Sequence, residues 1–436
     1  MANCCGTGSD DRVRGPTLAH GRAAVTARIL LVSGEYPPDE GGVADYTRCL
    51  AEALAARGLA VAVLCARRGA QKPEALDGRI ENSVTVFRQA DPRWGWNSLA
   101  AARRLARSWR ADWLHLQYQA AAFGLGLPIH LLPWRLSRAL PALRLAVTYH
   151  DLREPYLFPK AGRLRPAAVL ALARFSHLAL TTNAADRVTL AQELAARGWD
   201  GTRQALVPIG SNLPDTPPAG FDRAAFRAAA GLAPDTVALG YFGFLNASKG
   251  GMLLLGALAA LRAAGRDARL VMIGGAVGAS DPTNSATLAA FNAAAETMGL
   301  AEAVLWTGHL PAAQVSAWLR AADQLVLPYG DGASYRRGSL LAALAHGRPL
   351  VTTTPAPPPP GWRPGPDDAD PPPLVDGVHA LLCPADDAAA LGAAVLRLAA
   401  NPDLAASLGR GARELAVAFG WEAIAERHAG LYERRG

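Results

Sequence analysis

Cysteine is scarce in this chain of 436 residues: Cys4, Cys5, Cys49, Cys65 and Cys383 are all there are. Only Cys4 and Cys5 are close, and neighbours cannot easily bridge each other. With no Cys-x-x-Cys pair and no Cys/His cluster, a disulfide scaffold and a zinc site are both disfavoured, and a reducing cytoplasm is the expected setting. Charge is thin as well, at 19% of residues, and there is no basic tail. Residues 1–26 are polar and irregular and lack the apolar core of a signal peptide. The GxxxxGK[ST] phosphate loop is also missing. One run, Trp113–Trp134, has no Asp, Glu, Lys or Arg. His115, Gln117, Gln119, Gly124, Gly126, Pro128, His130 and Pro133 interrupt it, so it reads as a strand (Asp112–Gln117), a Gly-rich loop and a short helix rather than a membrane span.

What is present fits a globular protein of two or three domains, because half the residues are apolar and one core cannot serve 436 of them. The net charge of +7 comes almost wholly from arginine spread along the chain. That balance suits an acidic small molecule or an anionic membrane surface. Nucleic acid is not expected as a partner, because no DNA- or RNA-binding motif is present and the tryptophans do not interleave with a basic track.

Short β-rich runs alternate with helical patterns, the mark of parallel sheets with crossover helices. Strands are expected near Arg28–Ser33, Ala60–Cys65, Val84–Arg88, Trp113–Gln117, Leu145–Tyr149, Leu178–Thr182 and Ala205–Pro208. A second set is expected near Val237–Phe242, Arg269–Gly274, Ala303–Thr307, Gln324–Pro328, Pro349–Thr353 and Ala380–Cys383. Between them lie helices such as Val43–Arg57, stopped by Gly58. The expected organisation is an irregular tail (1–26), a first doubly wound α/β domain (27–208), a Gly/Asn/Pro-rich linker (209–218) and a second such domain (219–418). A last helix (419–436) would pack back toward the first domain. The Pro-rich stretch Pro355–Pro373 reads as an irregular surface loop. Two such domains facing one another put ligands at the carboxyl ends of both sheets.

Four loops at those ends carry chemistry. In Pro328–Gly347 a strand meets a Gly-rich loop holding Arg336 and Arg337, and a helix follows with Leu340, Leu341 and Leu344 on one face. The helix start at Gly338, Ser339 and Leu340 offers amides and a positive dipole end to an anion, and the arginines add fork-shaped donors. A solvated loop with two surface arginines is the plainer reading. Tyr241–Gly251 brings Lys249 and two glycines to another helix start. Ser33–Asp45 sets Gly41 and Gly42 at a third, where they serve either a ligand's close approach or only the turn. His150 emerges at the end of the strand before Asp151, and a lone histidine there serves either substrate or structure. Three helix starts with Gly, Lys and Arg converge on one ligand class, a diphosphate held in the cleft.

Together the GEYPP…GGVADY loop, the VPIGSNLP junction, the FGFLNASKG loop, the PYGDGASYRRGSLLAALAHGRPLVTT segment and the closing WEAIAERHAGLY helix resemble the retaining glycosyltransferases of GT-B fold. That family includes sucrose and trehalose synthesising enzymes and bacterial polysaccharide and lipid glycosylators, and the resemblance spans roughly 27–432. It implies two Rossmann-like domains facing across a cleft, a nucleotide diphospho-sugar donor on the second, and a glycan, lipid-linked or small-molecule acceptor on the first. By resemblance, Lys249 and the amides of Gly338–Leu340 hold the diphosphate, Arg336 and Arg337 stand in for a missing arginine, Gly41 and Gly42 approach from the first domain, and His150 lines the site as the catalytic residue. Gly308–Leu310 would lie near the base. Two departures stand out. Phe244 follows Gly243 where the family has arginine, and Ser334 and Ala342 occupy the places of a glutamate pair, one of them the ribose ligand; Asp331 is a candidate substitute. No metal or cofactor is implied, the location is cytoplasmic with a peripheral inner-membrane contact left open, and transfer would proceed with retention. Trp94, Trp96, Trp109, Trp113 and Trp134, with Arg135, Arg138 and Arg144, read either as an acceptor or membrane patch or as ordinary packing with snorkelling arginines. A catalytically silent homologue that binds nucleotide or glycan, and a sugar-nucleotide epimerase on the same fold, are the alternatives.

Overall fold

A computed structural model describes residues 27–39, 41–66, 78–89, 94–124, 126–152, 164–199, 201–275 and 283–434. The expected tail 1–26, with Cys4 and Cys5, lies outside them. Among the described residues the first half forms eight strands: β1 (Arg28–Ser33), β2 (Ala60–Ala66), β3 (Gly78–Glu81), β4 (Val84–Gln89), β5 (Trp113–Tyr118), β6 (Arg144–Tyr149), β7 (Leu178–Thr181) and β8 (Arg203–Leu206). The second forms six: β9 (Val237–Phe242), β10 (Ala268–Ile273), β11 (Val304–Trp306), β12 (Gln324–Leu327), β13 (Leu350–Thr353) and β14 (Leu381–Cys383). Each half is one sheet, ordered β3-β4-β2-β1-β5-β6-β7-β8 and β11-β10-β9-β12-β13-β14. Every pairing is parallel except β3 with β4.

The strand sequences explain the layering. Parallel strands covered by helices on both faces bury every side chain, so they read as unbroken apolar runs. In β1, Leu30 and Val32 join one core with Leu114, Leu116 and Leu145, while Ile29 and Leu31 join the opposite core with Tyr46, Leu50 and Leu54 of helix Gly42–Ala56. The second half packs around a single core on β9, β10 and β12. Asn183, Asp222, Asp387 and Asn401 start four helices by accepting a backbone N–H three residues on.

Trp113–Trp134 is a strand, β5, followed by a 3-10 turn (Pro128–Leu131) and the start of helix Leu132–Ala139. No helix among the described residues is long and apolar enough to cross a membrane. β3 was not expected from sequence; it is a short edge strand with three exposed residues.

Several contacts join the halves. The last helix, Trp421–Glu433, lies against helix Gly42–Ala56; Trp421 stacks edge-on to Tyr46 at 5.2 Å and donates its indole N–H to Ser211 O at 2.8 Å. Gly210 leaves room for that indole, because a Cβ there would sit 2.7 Å from the ring. The Pro-rich stretch is irregular, as expected, but it is more than a surface loop. Asp368 is almost wholly buried and accepts from Arg187 (3.0 Å), Leu206 N (2.7 Å) and Gly365 N (2.9 Å). Asp367 receives a two-pronged Arg203 guanidinium (2.5 and 2.8 Å) and Arg434 (2.9 Å). A strap from the second half is thus tied to the β8 edge of the first sheet.

Candidate active site at the carboxyl ends of the two sheets

β9 ends at Phe242 and turns at Gly243, whose φ of 129° is open to glycine and strained for other residues. Asn246 Oδ1 then accepts from Ser248 N (3.1 Å) and Ser248 Oγ (3.0 Å), winding the 3-10 turn Ala247–Lys249. Gly250 follows at φ 65°, and a Cβ on it would lie 2.2 Å from Pro328 O. Gly330 N donates to Ser248 O at 3.0 Å. These contacts press the loop after β9 against the loop after β12, backbone to backbone, and so deliver Lys249 to Tyr329. Its Nζ is 4.9 Å from the Tyr329 ring centroid, and the Arg337 guanidinium carbon is 4.3 Å from the same centroid. Tyr329 Oη shares a 2.8 Å hydrogen bond with Ser339 Oγ, which ties the ring to the start of helix Gly338–Ala345.

Two cations on one ring, with Asp331 paired to Arg337 as the neighbouring carboxylate, leave an excess of positive charge. Desolvation, followed by the nearby Arg337, pushes the Lys249 ammonium down to about 8. The first bonds of helix Gly338–Ala345 run from the amides of Leu340 and Leu341 to Arg337 O, at 3.0 and 3.2 Å. The Gly338 and Ser339 amides precede that ladder, whereas Leu340 is fully buried with its amide engaged. The two adjacent arginines also part: Arg337 lies on Tyr329, but Arg336 is exposed and its side chain makes no hydrogen bond or ion pair among the described residues. Phe244 exposes half its surface and covers Gly275 beyond β10. Gly308, past β11, bridges Gly274.

On the first half, Gly41 and Gly42 open helix Gly42–Ala56, but a side chain already occupies that helix start. Glu35 is buried, its Oε1 accepts from Ala44 N at 3.3 Å, and a Cβ on Gly41 would lie 2.3 Å from that oxygen. Nothing lies within 4 Å of a Cβ on Gly42, and Asn212 from the junction donates to Gly42 O at 3.5 Å.

His150 is half-buried beyond β6. Its Nε2 donates to Gln117 Oε1 at 3.0 Å, since an amide oxygen only accepts, and its ring meets Tyr46 edge-on at 4.5 Å. Desolvation, then the nearby His428, pushes it down to about 3. It is therefore a neutral imidazole with Nδ1 left as an acceptor. Behind it His115 bonds Tyr432 Oη (2.6 Å) and Thr148 Oγ1 (2.7 Å), so the last helix forms part of the floor.

Residues 40–210 match the family model described as Glycosyltransferase Family 4, and residues 236–401 match the one described as Glycosyl transferases group 1. Each half thus matches a glycosyltransferase family model, and the two together have the GT-B fold. The D-inositol 3-phosphate glycosyltransferases of Streptomyces avermitilis (29% identical, 58% of this chain and 51% of that one) and Corynebacterium jeikeium (32%, 54% and 53%) are similar in sequence. The chain thus spans about half the length of the curated relatives it matches. Among solved structures, sucrose-phosphate synthase from Thermosynechococcus elongatus superposes with a TM-score of 0.63 at 22% identity, covering 94% of this chain and 98% of that one. Anabaena HepE in complex with UDP gives 0.65 at 17% identity, covering 93% and 99%. At these identities the likeness establishes the GT-B fold.

Within this glycosyltransferase fold, sequence reasoning missed Glu35, Tyr329 and Asp368. Tyr329 had a signal, since an aromatic between a strand end and a Gly-rich loop is poorly explained as a connector. Glu35 had a weaker one in Gly41, whose missing side chain makes its room. The second glutamate's place, Ala342, is fully buried in the core, and Tyr335 Oη beside Ser334 donates to Pro372 O at 2.7 Å.

Proposed function

We propose that this protein transfers a sugar from a nucleotide diphospho-sugar to an acceptor bound by the first half, with retention of anomeric configuration. The observation that carries the reading is the convergence of Lys249 and Arg337 on Tyr329, beside the leading amides of helix Gly338–Ala345. A diphosphate leaving group gains charge as the glycosidic bond breaks, and preorganised cations and amides facing that charge lower the barrier. Lys249 and Arg337 supply the cations, Gly338 and Ser339 the amides. The departing phosphate assists deprotonation of the acceptor hydroxyl, which attacks from the same face. Neutral His150 accepts a hydrogen bond from the transferred sugar or the acceptor at Nδ1; a donor poised at a pKa of about 3 is ill suited to protonate anything near neutrality. Gly42 gives the acceptor side its close backbone approach.

The UDP held by HepE, and the D-inositol 3-phosphate named for the sequence relatives, support a nucleotide donor and a hydroxyl acceptor. Glycan and lipid-linked acceptors fit the exposed Trp96, whose ring lies 5.6 Å from the Arg135 guanidinium. The test is a donor screen by calorimetry with UDP, GDP, ADP and their sugar conjugates, followed by donor hydrolysis without acceptor. Saturable binding weakened at least tenfold in Lys249→Ala and Arg337→Ala, together with hydrolysis, supports the transferase. Binding without any turnover favours a silent homologue, and binding unaffected by either variant overturns the site.

A further inference from the structure

At the opposite end of the second sheet, where its strands begin, lies a cavity of about 830 Å³ bordered by the first residues of β9 and β12, Val237 and Gln324, and by Pro349 just before β13. Five arginines line it, Arg223, Arg266, Arg348, Arg410 and Arg413, against three carboxylates, Asp235, Asp323 and Glu414. Asp323 is already committed. One oxygen takes Arg223 at 2.5 Å; the other takes Arg227 at 2.9 Å and Ala238 N at 2.8 Å. Arg348 is left to carbonyls, donating to Ala322 O at 2.5 Å, and its buried Nε–H has no partner among the described residues. Beside it Gln324, 2% exposed, donates its amide to Val395 O at 3.2 Å while its Oε1 is buried and unpartnered.

A half-buried guanidinium whose hydrogen bonds go only to carbonyls has no ion-pair partner to offset its desolvation, and leaving its buried Nε–H unpaired costs free energy. Burial, with Arg223, Arg227 and Arg413 close by and only Asp323 opposing, pushes the Arg348 guanidinium down to about 10. The two unpartnered atoms specify complementary ligand groups. Arg348 Nε–H requires an acceptor and favours an anionic one; Gln324 Oε1 requires a donor, which phosphate oxygens near neutral pH do not dependably offer but a hydroxyl does. Exposed Arg266 and Arg410 at the rim, whose side chains make no hydrogen bond or ion pair among the described residues, supply further cations.

We propose that this cavity is a second ligand site, separate from the nucleotide cleft, for a small soluble metabolite carrying both a phosphate and a hydroxyl group, with Arg348 and Gln324 as its inner contacts and Arg266 and Arg410 at its mouth. Helix Gly338–Ala345 links the two sites: it begins beside Tyr329 and ends at His346–Gly347, where Arg413 donates to His346 O at 3.2 Å.

The experiment is calorimetric titration of the full chain with a hexose 6-phosphate, inorganic phosphate and the neutral hexose, and co-sedimentation with phosphatidylcholine vesicles containing phosphatidylglycerol. The expected result is saturable binding of the hexose phosphate, tighter than inorganic phosphate, absent for the neutral hexose, and weakened at least tenfold in Arg266→Ala/Arg410→Ala. Gln324→Leu should remove the preference for hexose phosphate over inorganic phosphate. Lys249→Ala should leave this binding intact while weakening nucleotide binding at least tenfold, so the two sites fail separately. No saturable binding of either phosphate, binding lost in Lys249→Ala but kept in the rim variant, or association with the vesicles alone would each overturn the proposal.

Discussion

Substituting Lys249 by arginine separates two properties that the site combines, positive charge and a proton that can be lost. In the wild type the ammonium is pushed to about 8 by desolvation and by Arg337, so the free protein loses this charge as pH rises through 8. A diphosphate ligand favours the charged form and raises its pKa in the complex. Donor affinity should therefore be flat below about pH 7 and fall toward a limiting tenfold per pH unit above 8, until the complex itself titrates. Lys249→Met should remove one charge-assisted contact, about 1.5–3 kcal/mol or roughly 10- to 150-fold in affinity at pH 7. It should also abolish the alkaline fall. Lys249→Arg cannot lose its proton in this range, so it should bind the diphosphate with a flat profile up to pH 9.5. Calorimetric titration of the diphosphate identified by the screen, at half-unit pH steps, reads the wild type and both variants. An alkaline fall that persists unchanged in Lys249→Arg would refute the argument, because some other group would then be titrating.

Arg336→Ala should change donor affinity by less than about threefold, as surface substitutions do, whereas Arg337→Ala should weaken it at least tenfold; equal effects in calorimetry would contradict the different placement of the two side chains. Asp368→Ala leaves Arg187 and the Leu206 amide without their shared acceptor and should cost roughly 3–5 kcal/mol, measured by chemical denaturation against the milder Asp368→Asn. Gly250→Ala meets both a left-handed backbone and a carbonyl at 2.2 Å, and should weaken nucleotide binding while Gly265→Ala, also at positive φ but in open space, lowers only stability. With His150 held to about 3, the kcat profile of sugar transfer should show no inflection near pH 6.5, and an imidazole inflection there that vanishes in His150→Gln would show the ring to be charged in the complex.

The strands were legible because parallel strands buried on both faces leave an unbroken apolar signature, and the Gly-rich loops after β9 and β12 announced themselves by interrupting it. β3 escaped because GRIE carries no such signature; it is held by pairing with β4 and leaves three residues in solvent. Adjacent arginines look alike in sequence, and only the turn into helix Gly338–Ala345 decides that Arg337 faces Tyr329 while Arg336 faces water. The strap was hidden for another reason. Its partners Arg187 and Arg203 lie more than 160 residues from Asp368 and Asp367, and nothing local in a Pro-rich run says that its carboxylates are buried.

That strap also sets the mechanics of the cleft. Prising the halves apart at the β8 edge would pull Asp368 away from Arg187 and Leu206 N and Asp367 away from Arg203, breaking the ion pairs that join them. Displacement of the last helix would break the Trp421–Ser211 bond as well. An opening of the halves that kept these contacts would have to pivot close to them. For such a pivot the limit on what enters between the halves is an angle rather than a distance, and the strap's length would set it from outside the residues proposed to bind the ligand.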